Sequence, residues 1–493
     1  MIFANSYSSG PDQEMGHMGY EHNTPEECKR FMGHVFRRHY PGGLVLHGAA
    51  FYNIRTGHWI AITCRRPNMG YILNIRDAGR GVCFDLTFHA PLPLGTVLRL
   101  PEVSLYYGET RDEMMRWMAD HATFHYEEPP AWTYKTLWSP GIAWNNEATW
   151  TQQADAWERQ VGDGQSNGIW INLVTDRPMR CGTSPTSYQP DPRHGTREEF
   201  RRACRRLADK GVPLVMWMSH SGFLQGGLDI DDDWFIRGAD NRLLASWGPG
   251  DAGSMMYVNP GHPGYREYTK KWMEFYVKEC GAKVIFFDCL GFPIPPDFRS
   301  RPFMRFPGDA AVHAIGFMEE MYAAIKQSDP EAVVIGEGTS LDGPIEMFSV
   351  IANSRRGMDG FGPRDFLLNL NRFGRKKMTI YTDYAYFPAS GYSCADPRPP
   401  WAEHNRYLLK LLQERGGRDA FTWVPGTDFS AMDDLLFLPV KSDWKDDHRY
   451  GEIRLPAPWN DASTLTEEIT GAKVKKSKND GFRSVKPGFY RMG

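Results

Sequence analysis

The sequence predicts a multidomain chain in which a central (β/α)8 (TIM) barrel follows an N-terminal β-sandwich and precedes a small C-terminal β domain. Two short apolar runs, 282–287 and 332–335, are followed by carboxylates, Asp288 after the first and Glu337 after the second. Such runs are typical of parallel strands that are buried on both faces. The segment between them, 309–326, has apolar residues at helical spacing. The three segments therefore predict a strand–helix–strand unit with both carboxylates at the same end of the sheet.

The domain boundaries are predicted from changes in this rhythm. Residues 1–130 contain short alternating segments separated by turn signals, which is typical of an antiparallel sandwich, and a helix is expected at 110–121. Residues 131–430 alternate between strand and helix, which favours a barrel, and residues 431–493 return to short β segments. The alternative for the central part is an open doubly wound sheet, but the glycine-rich phosphate turn that usually follows its first strand is missing.

The eight barrel strands are predicted from apolar runs and from the helices between them. Thr196 and Glu199 form a capping box, in which the two side chains satisfy each other's free backbone amides. Residues 220–261 are predicted to be a long loop, and the sixth strand is the hardest to locate. Further helices are expected at 149–161, 264–280 and 401–414, and the strands at 137–144, 168–174, 212–218, 282–288, 332–337, 358–361, 377–381 and 420–424.

Composition argues against several kinds of partner. The chain has 57 basic and 60 acidic residues mixed along its length, a net charge of −3, so there is no electrostatic basis for binding nucleic acid or an anionic membrane. No apolar run approaches membrane-spanning length. The sequence leaves open whether the chain forms a homo-oligomer.

Neither a metal nor a cofactor is predicted. The eight cysteines form no CxxC pair and no cluster with zinc spacing, and their scatter favours free thiols in a reducing compartment. The acidic stretch 229–233 resembles the start of a calcium loop, but Trp234 stands where the loop needs glycine, so a solvated loop is expected. Because no signal peptide is visible, the prediction is a cytoplasmic protein, although the first residues resemble the middle of a β domain and a natural N-terminus is expected to precede them.

Asp288 and Glu337 are the candidate catalytic residues, since parallel barrels carry out their chemistry at the carboxyl ends of their strands. Adjacent strands lie about 4.8 Å apart, so these carboxylates can fall roughly 5 to 6 Å apart. Cleavage of a glycosidic bond needs such a pair, one attacking or stabilising the anomeric carbon and one protonating the leaving oxygen. A separation of about 5 to 5.5 Å indicates retention of configuration and about 6.5 to 9.5 Å inversion. The alternative for each residue is a structural role.

Other residues at predicted strand ends are candidate contacts for a sugar. Asp383 is a candidate third carboxylate for substrate hydroxyls, and tryptophan, of which the chain has 16, offers a flat apolar face on which sugars stack. For each tryptophan the alternative is the barrel core, and for His220 it is a hydrogen-bonded structural role. The candidates are Trp144, Asp176, Trp217, His220, Asp383, Tyr384 and Trp423.

Residues 140–340 resemble glycoside hydrolases of the α-amylase and α-galactosidase types, in which a β-sandwich precedes the barrel and a small β domain follows it. Gly195–Phe200 with Lys210–Val215 is similar to their helix and third strand, and Ile285–Asp288 to the fourth-strand segment that holds their nucleophile. Pro330–Glu337 is similar to the fifth-strand segment that holds the amylase-type acid/base. The resemblance implies a retaining glycosidase with a carbohydrate substrate, Asp288 as nucleophile and Glu337 as acid/base.

The sequence also departs from both types, which leaves two alternatives. Phe286 stands where amylase-type enzymes have arginine, and Ser219 precedes His220 where they have asparagine. The α-galactosidase-type enzymes have lysine two residues before the nucleophile and their acid on strand six, which here would be Asp359 or Asp365. The alternatives are therefore an enzyme with its acid on strand six and a barrel that binds carbohydrate without cleaving it.

Overall fold

The structure is a computed structural model. It describes residues 2–3, 35–40, 48–53, 56–64, 71–77, 82–88, 95, 97, 102–121, 127–142, 147–172, 174–176, 185–220, 222–227, 229–250, 253–288, 290, 294–337, 346–349, 379–381, 402–415, 422–424, 429–438 and 449–493. Five residues named above lie outside these ranges: Trp144, Asp359, Asp365, Asp383 and Tyr384. Within the ranges, no helix is both long and apolar enough to span a membrane.

The N-terminal region consists of antiparallel strands: β1 (Ile2–Phe3), β2 (Val35–Tyr40), β3 (Gly48–Asn53), β4 (His58–Cys64), β5 (Tyr71–Asp77), β6 (Val82–Phe88) and β7 (Val103–Gly108). They form two sheets, with orders β1-β3-β4-β7 and β2-β5-β6. The predicted helix is confirmed as α1 (Arg111–His121), which lies against β4 and β7 and buries Met114 and Met118. The packing of the two sheets as a sandwich stays a prediction.

The central region begins with parallel strands that alternate with helices: β8 (Trp138–Ile142), α2 (Trp150–Gly162), β9 (Gly168–Asn172), α3 (Arg197–Ala208) and β10 (Leu214–Ser219). The predicted capping box at the start of α3 is confirmed. Thr196 Oγ1 accepts a hydrogen bond from the Glu199 amide at 3.2 Å, and Glu199 Oε2 accepts one from the Thr196 amide at 2.7 Å. Phe200, Cys204 and Leu207 form the buried face of this helix.

The segment that follows β10 contains regular structure, so the prediction of a long loop is wrong. β11 (Gly222–Leu224), β12 (Ala245–Gly250) and β13 (Gly253–Tyr257) form an antiparallel sheet with the order β11-β13-β12. A 3-10 turn at Asp232–Trp234 buries Trp234. We call residues 222–258 the excursion. Strands this short show too few alternations to be recognised in a sequence, and they exist through pairing with one another.

The second half of the central region continues the alternation. It comprises α4 (Pro263–Glu274), which runs into a π-helical turn at Phe275–Glu279, β14 (Val284–Asp288), α5 (Asp309–Ser328), β15 (Val333–Glu337), β16 (Met347–Ser349) and β17 (Thr379–Tyr381). The predicted fourth, fifth and seventh strands are thereby confirmed. The prediction for the sixth is wrong, because the strand paired with β15 is β16 and not 358–361. Three residues are too few to stand out as an apolar run.

The parallel strands stand in the sheet in the order in which they occur in the chain, from β8 at one edge through β9, β10, β14, β15 and β16 to β17 at the other. A doubly wound sheet reverses its strand order at a switch point, and this sheet does not, so that alternative is excluded. Among the described residues no eighth parallel strand joins the two edges. The closed (β/α)8 barrel therefore stays a prediction.

The two faces of this sheet are both buried, as expected of parallel strands. The outer face packs on the helices, with Met216 of β10, Phe287 of β14 and Phe317 of α5 in one cluster. At the amino ends of the strands, the 3-10 turn Ala131–Lys135 brings Trp132 against the inner face, which leaves the carboxyl ends for a site. The inner face is a separate cluster made of Trp138, Trp170, Val215, Trp217, Val284, Phe286, Val333 and Ile335.

The C-terminal region is antiparallel, as predicted. After α6 (Ala402–Glu414) it contains β18 (Thr422–Trp423), β19 (Ser430–Met432), β20 (Leu435–Leu438), β21 (Tyr450–Ile453), β22 (Thr464–Glu467), β23 (Lys473–Lys475), β24 (Phe482–Val485) and β25 (Gly488–Met492). The sheet order is β18-β19-β20-β25-β22-β23, with β21 paired to β24. The prediction of 420–424 as the eighth barrel strand is wrong, because β18 pairs antiparallel with β19. The boundaries at 130 and 430 stay predictions.

Candidate active site

The carboxyl ends of neighbouring parallel strands meet in one row. In the pairing of β10 with β14, Ser219 stands opposite Asp288. In the pairing of β14 with β15, Phe287 stands opposite Gly336, so Glu337 ends β15 at the next position. Glu337 in turn stands opposite Ser349, the last residue of β16. The two predicted catalytic residues therefore end adjacent strands at the same height.

Strand alternation decides which of these side chains belongs to the inner face. Val284 and Phe286 of β14 lie in the inner cluster, and Asp288 is the next residue on that side of the strand. In β10, Val215 and Trp217 lead to Ser219 in the same way. Asp288 is 5% exposed and Ser219 is fully buried, so the row sits directly on an apolar floor.

Three backbone hydrogen bonds hold the end of β10, and sequence reasoning missed the side chains that make two of them. The Tyr188 hydroxyl donates to the Ser219 carbonyl, and the Tyr265 hydroxyl donates to the His220 carbonyl at 3.0 Å. The His220 amide donates to the Asp288 carbonyl at 2.9 Å. The Ser219 hydroxyl itself points to Met255 Sδ at 3.5 Å. The backbone on both sides of the Ser219–Asp288 pair is thus fixed.

His220, a predicted sugar contact, lies on the helix side of the sheet. It is 1% exposed and its ring packs on Phe317 of α5, with the ring centroids 5.0 Å apart. Burial lowers its pKa to about 3, so the imidazole is neutral at physiological pH. Within the described part of the chain neither ring nitrogen has a hydrogen-bond partner. This placement favours the core role over contact with a substrate.

Trp217 belongs to the floor of the site. It stands opposite Phe286 in the strand pairing, one layer below Ser219 and Asp288, and it is 1% exposed. The rings of Trp170 and Phe286 lie 5.0 Å apart in the same cluster. Buried aromatic side chains of this size each contribute roughly 1.5 to 3 kcal/mol to the stability of the fold. Its placement favours the core role over that of an exposed sugar platform.

The remaining described candidates lie further from the row. Asp176 follows β9 in a half-buried loop, where its Oδ2 accepts from the Thr186 hydroxyl at 2.9 Å and its carbonyl accepts from the Thr186 amide at 2.9 Å. It therefore fastens the loop before Tyr188. Trp423 lies in β18, so the expectation that it ends a barrel strand is wrong. Trp144, Asp383 and Tyr384 lie outside the described residues.

An ionic network joins the excursion to the loop that follows Asp288. Asp297 is fully buried and accepts from Asn259 Nδ2 at 3.0 Å, from the Arg237 amide at 3.2 Å and from Arg301 Nε at 3.3 Å. Arg301 Nη1 also contacts Asp233 Oδ1 at 2.9 Å. The acidic stretch is thus neutralised by arginine rather than solvated as predicted. In the described ranges no group of three or more potential ligands could hold a metal ion.

Comparison with known proteins gives a fold but no family. No family model matches the sequence, and no curated protein matches it. The chain is similar to a cycloalternan-degrading enzyme from Trueperella pyogenes, in complex with isomaltose, with a TM-score of 0.55 and 11% identity over 97% of this chain and 78% of that one. For the same enzyme in complex with a covalent intermediate the values are 0.56, 10%, 100% and 76%.

A second protein has a similar fold. A mutant of Kfla1895 in complex with cyclobis-(1->6)-alpha-nigerosyl matches with a TM-score of 0.53 and 12% identity over 94% of this chain and 75% of that one. At identities this low the likeness shows a shared fold. It extends over nearly the whole chain and includes the parallel sheet that carries the Asp288 row.

Proposed function

We propose that this chain is a retaining glycoside hydrolase, with Asp288 as the nucleophile and Glu337 as the general acid/base. One observation carries the proposal: Asp288 and Glu337 end adjacent parallel strands at the same height, at the carboxyl end of the sheet. Asp288 continues the inner side of β14 above an apolar floor, and a site on a rigid strand holds a carboxylate more accurately than a site on a loop.

In the proposed mechanism the Asp288 carboxylate attacks the anomeric carbon while the Glu337 carboxyl protonates the leaving oxygen. The bond to the leaving group breaks as the bond to Asp288 forms, which gives a covalent glycosyl–enzyme intermediate. Glu337, now ionised, takes a proton from water, which attacks the same carbon and releases Asp288. Two inversions give net retention. The spacing of adjacent strands, about 4.8 Å, supports this mechanism over inversion, which needs room for a water between the carboxylates.

We propose α-linked glucosides as the substrate class. The proteins of similar fold include one solved with isomaltose and with a covalent intermediate, and one solved with a cyclic nigerosyl saccharide. A covalent intermediate belongs to the retaining mechanism. These ligands are said of those proteins only, and they identify isomaltose and aryl α-glucosides as the first substrates to test on this chain.

An acid on strand six remains the alternative enzyme hypothesis. The sixth strand ends at Ser349, and Asp359 and Asp365 lie outside the described residues. The carboxylate that is described next to this strand is Glu346, whose Oε2 accepts from the Val334 amide at 2.7 Å. Val334 lies near the start of β15, so Glu346 stands at the end of the sheet away from Asp288. Burial raises the pKa of Glu346, which also pairs with Lys326, so it serves as a structural carboxylate.

The test is turnover of aryl α- and β-glucosides and of isomaltose by wild type, Asp288→Asn, Glu337→Gln and the control Asp240→Asn. Asp240 is exposed in the excursion and pairs with Arg242, so its variant should match wild type. We expect α-glucosides to be hydrolysed with retention, Asp288→Asn to lose on the order of 10³-fold or more in kcat, and Glu337→Gln to act only on substrates with good leaving groups.

Two other results would overturn parts of the proposal. If Glu337→Gln is as active as wild type on every substrate, the acid/base lies elsewhere and strand six becomes the place to look. If wild type binds isomaltose in calorimetry but hydrolyses no glycoside, the chain is a carbohydrate-binding protein, as in the non-catalytic alternative.

A further inference from the structure

The end of β10 extends beyond one of its neighbours. β9 pairs with β10 from Leu214 opposite Ile169 to Met216 opposite Ile171, whereas β14 continues to pair as far as Ser219. On the β9 side, Ser219 therefore stands past the last paired residue of the neighbouring strand, although it is fully buried. A buried carbonyl without a hydrogen-bond donor is costly, so another group has to replace the missing strand.

Two tyrosine hydroxyls fill this place. Tyr188 donates to the Ser219 carbonyl and Tyr265 donates to the His220 carbonyl, and the two hydroxyl oxygens are 3.2 Å apart. We call Tyr188 and Tyr265 the tyrosine clamp. Both side chains are fully buried, so each would leave its hydroxyl unsatisfied in any other arrangement.

The clamp is itself held from two sides. The Tyr276 hydroxyl donates to the Tyr188 carbonyl at 2.5 Å, which fixes the loop that carries Tyr188. Tyr265, near the start of α4, stacks on Phe317 of α5 with the ring centroids 5.2 Å apart and the planes 3° from parallel. The clamp therefore connects two helices and the loop after β9 to the end of one strand.

From the clamp one more hydrogen bond leads to the candidate nucleophile. The His220 amide, between the two clamped carbonyls and its own ring, donates to the Asp288 carbonyl at 2.9 Å. The peptide groups of 219 and 220 are thus bonded to the clamp on one side and to Asp288 on the other. A shift of this peptide would move the backbone that carries the Asp288 side chain.

We propose that the tyrosine clamp positions Asp288 for attack on the anomeric carbon. The inference rests on the proposed function, and Tyr188 and Tyr265 act in it as positioning residues, without touching the substrate. A nucleophile displaced by about 1 Å loses on the order of 100-fold in rate. Because the clamp changes where the nucleophile stands and not how the sugar is bound, its loss lowers kcat and leaves KM nearly unchanged.

The experiment compares Tyr188→Phe and Tyr265→Phe with Tyr490→Phe in the full chain. Tyr490 is a matched control, since it is 3% exposed and its hydroxyl donates to the Lys486 carbonyl at 2.9 Å in the C-terminal sheet. On an aryl α-glucoside we expect each clamp variant to lose about tenfold or more in kcat with KM within about twofold, while the control keeps both values. Clamp variants with the kcat of the control would overturn the proposal.

Amide hydrogen exchange of peptide 214–220 separates this inference from the proposed function, because it needs no turnover. The His220 amide should exchange at least about tenfold faster in either clamp variant than in wild type or Tyr490→Phe, since its peptide loses an anchor. Unchanged exchange would overturn the clamp whatever the activity. A wild type without glycosidase activity would refute the proposed function, and the exchange result would then decide the clamp alone. If one variant does not fold, the other carries both measurements.

Discussion

The buried ionic network around Asp297 should be the main support of the wall beside Asp288, and Asp297→Asn tests it. Asp297 Oδ1 accepts from the backbone amides of Arg237 and Arg299, and Oδ2 accepts from Asn259 Nδ2 at 3.0 Å and from Arg301 Nε at 3.3 Å. In the variant an amide group replaces Oδ2 and faces two donors. It also removes the negative charge beside an arginine that is nearly buried.

The expected cost follows from these contacts. Two hydrogen bonds become donor–donor contacts, each costing about 1 to 3 kcal/mol, and breaking a buried ion pair by removing one partner costs about 3 to 5 kcal/mol. We therefore expect the excursion to open about 3 kcal/mol more easily, which corresponds to roughly 100-fold faster amide exchange.

The assay is native-state hydrogen exchange of peptides covering 230–260 in wild type, Asp297→Asn and Asp240→Asn. Asp240 lies in the same excursion, is exposed and pairs with Arg242 at 3.4 Å, so its variant should exchange within about twofold of wild type. If Asp297→Asn exchanges within about threefold of wild type, the network does not support the excursion.

Three further predictions concern stability. His220 should take up a proton in the unfolded chain below about pH 6.5 but in the folded chain only near pH 3, so stability falls between these values; in His220→Phe the slope of unfolding free energy between pH 6 and 4 should be flatter by about 1.4 kcal/mol per pH unit, and an unchanged slope would contradict the buried neutral imidazole. Thr196→Ala should cost about 1 kcal/mol through loss of the capping box, while Thr196→Ser retains it; equal urea midpoints for the two would count against the cap. Burial raises the pKa of Glu346, a shift that takes away stability as pH rises, and Lys326 opposes it, so Lys326→Met should lose more stability at pH 8 than at pH 4, and an equal loss at both would show that the pair is not coupled.

The parts of the fold that could be predicted from the sequence are those with strong local patterns. β14 and β15 are unbroken apolar runs, α5 has clear helical spacing, and α3 opens with a capping box. Thr422–Trp423 was assigned to the wrong sheet, because two residues show that a strand exists but not which strand it pairs with. The three-residue β16 was missed for the same lack of local signal.

The site could be predicted only in part. The position of Asp288 followed from the strand that precedes it. The orientation of His220 did not, because every residue of β10 is buried and no polar alternation tells which side of the strand faces inward. The roles of Tyr188 and Tyr265 depend on carbonyl groups 31 and 45 residues away in the chain. No local pattern could have revealed those contacts.

The proposed covalent role of Asp288 can be measured directly. Wild type and Asp288→Asn are incubated with a fluorinated α-glucosyl fluoride, whose glycosyl–enzyme intermediate hydrolyses slowly, and peptides are then mapped by mass spectrometry. We predict one added glycosyl group on the peptide containing Asp288 in wild type, and none in the variant. A glycosyl group attached to a different carboxylate, or equal labelling of Asp288→Asn, would contradict the assignment of Asp288 as the nucleophile.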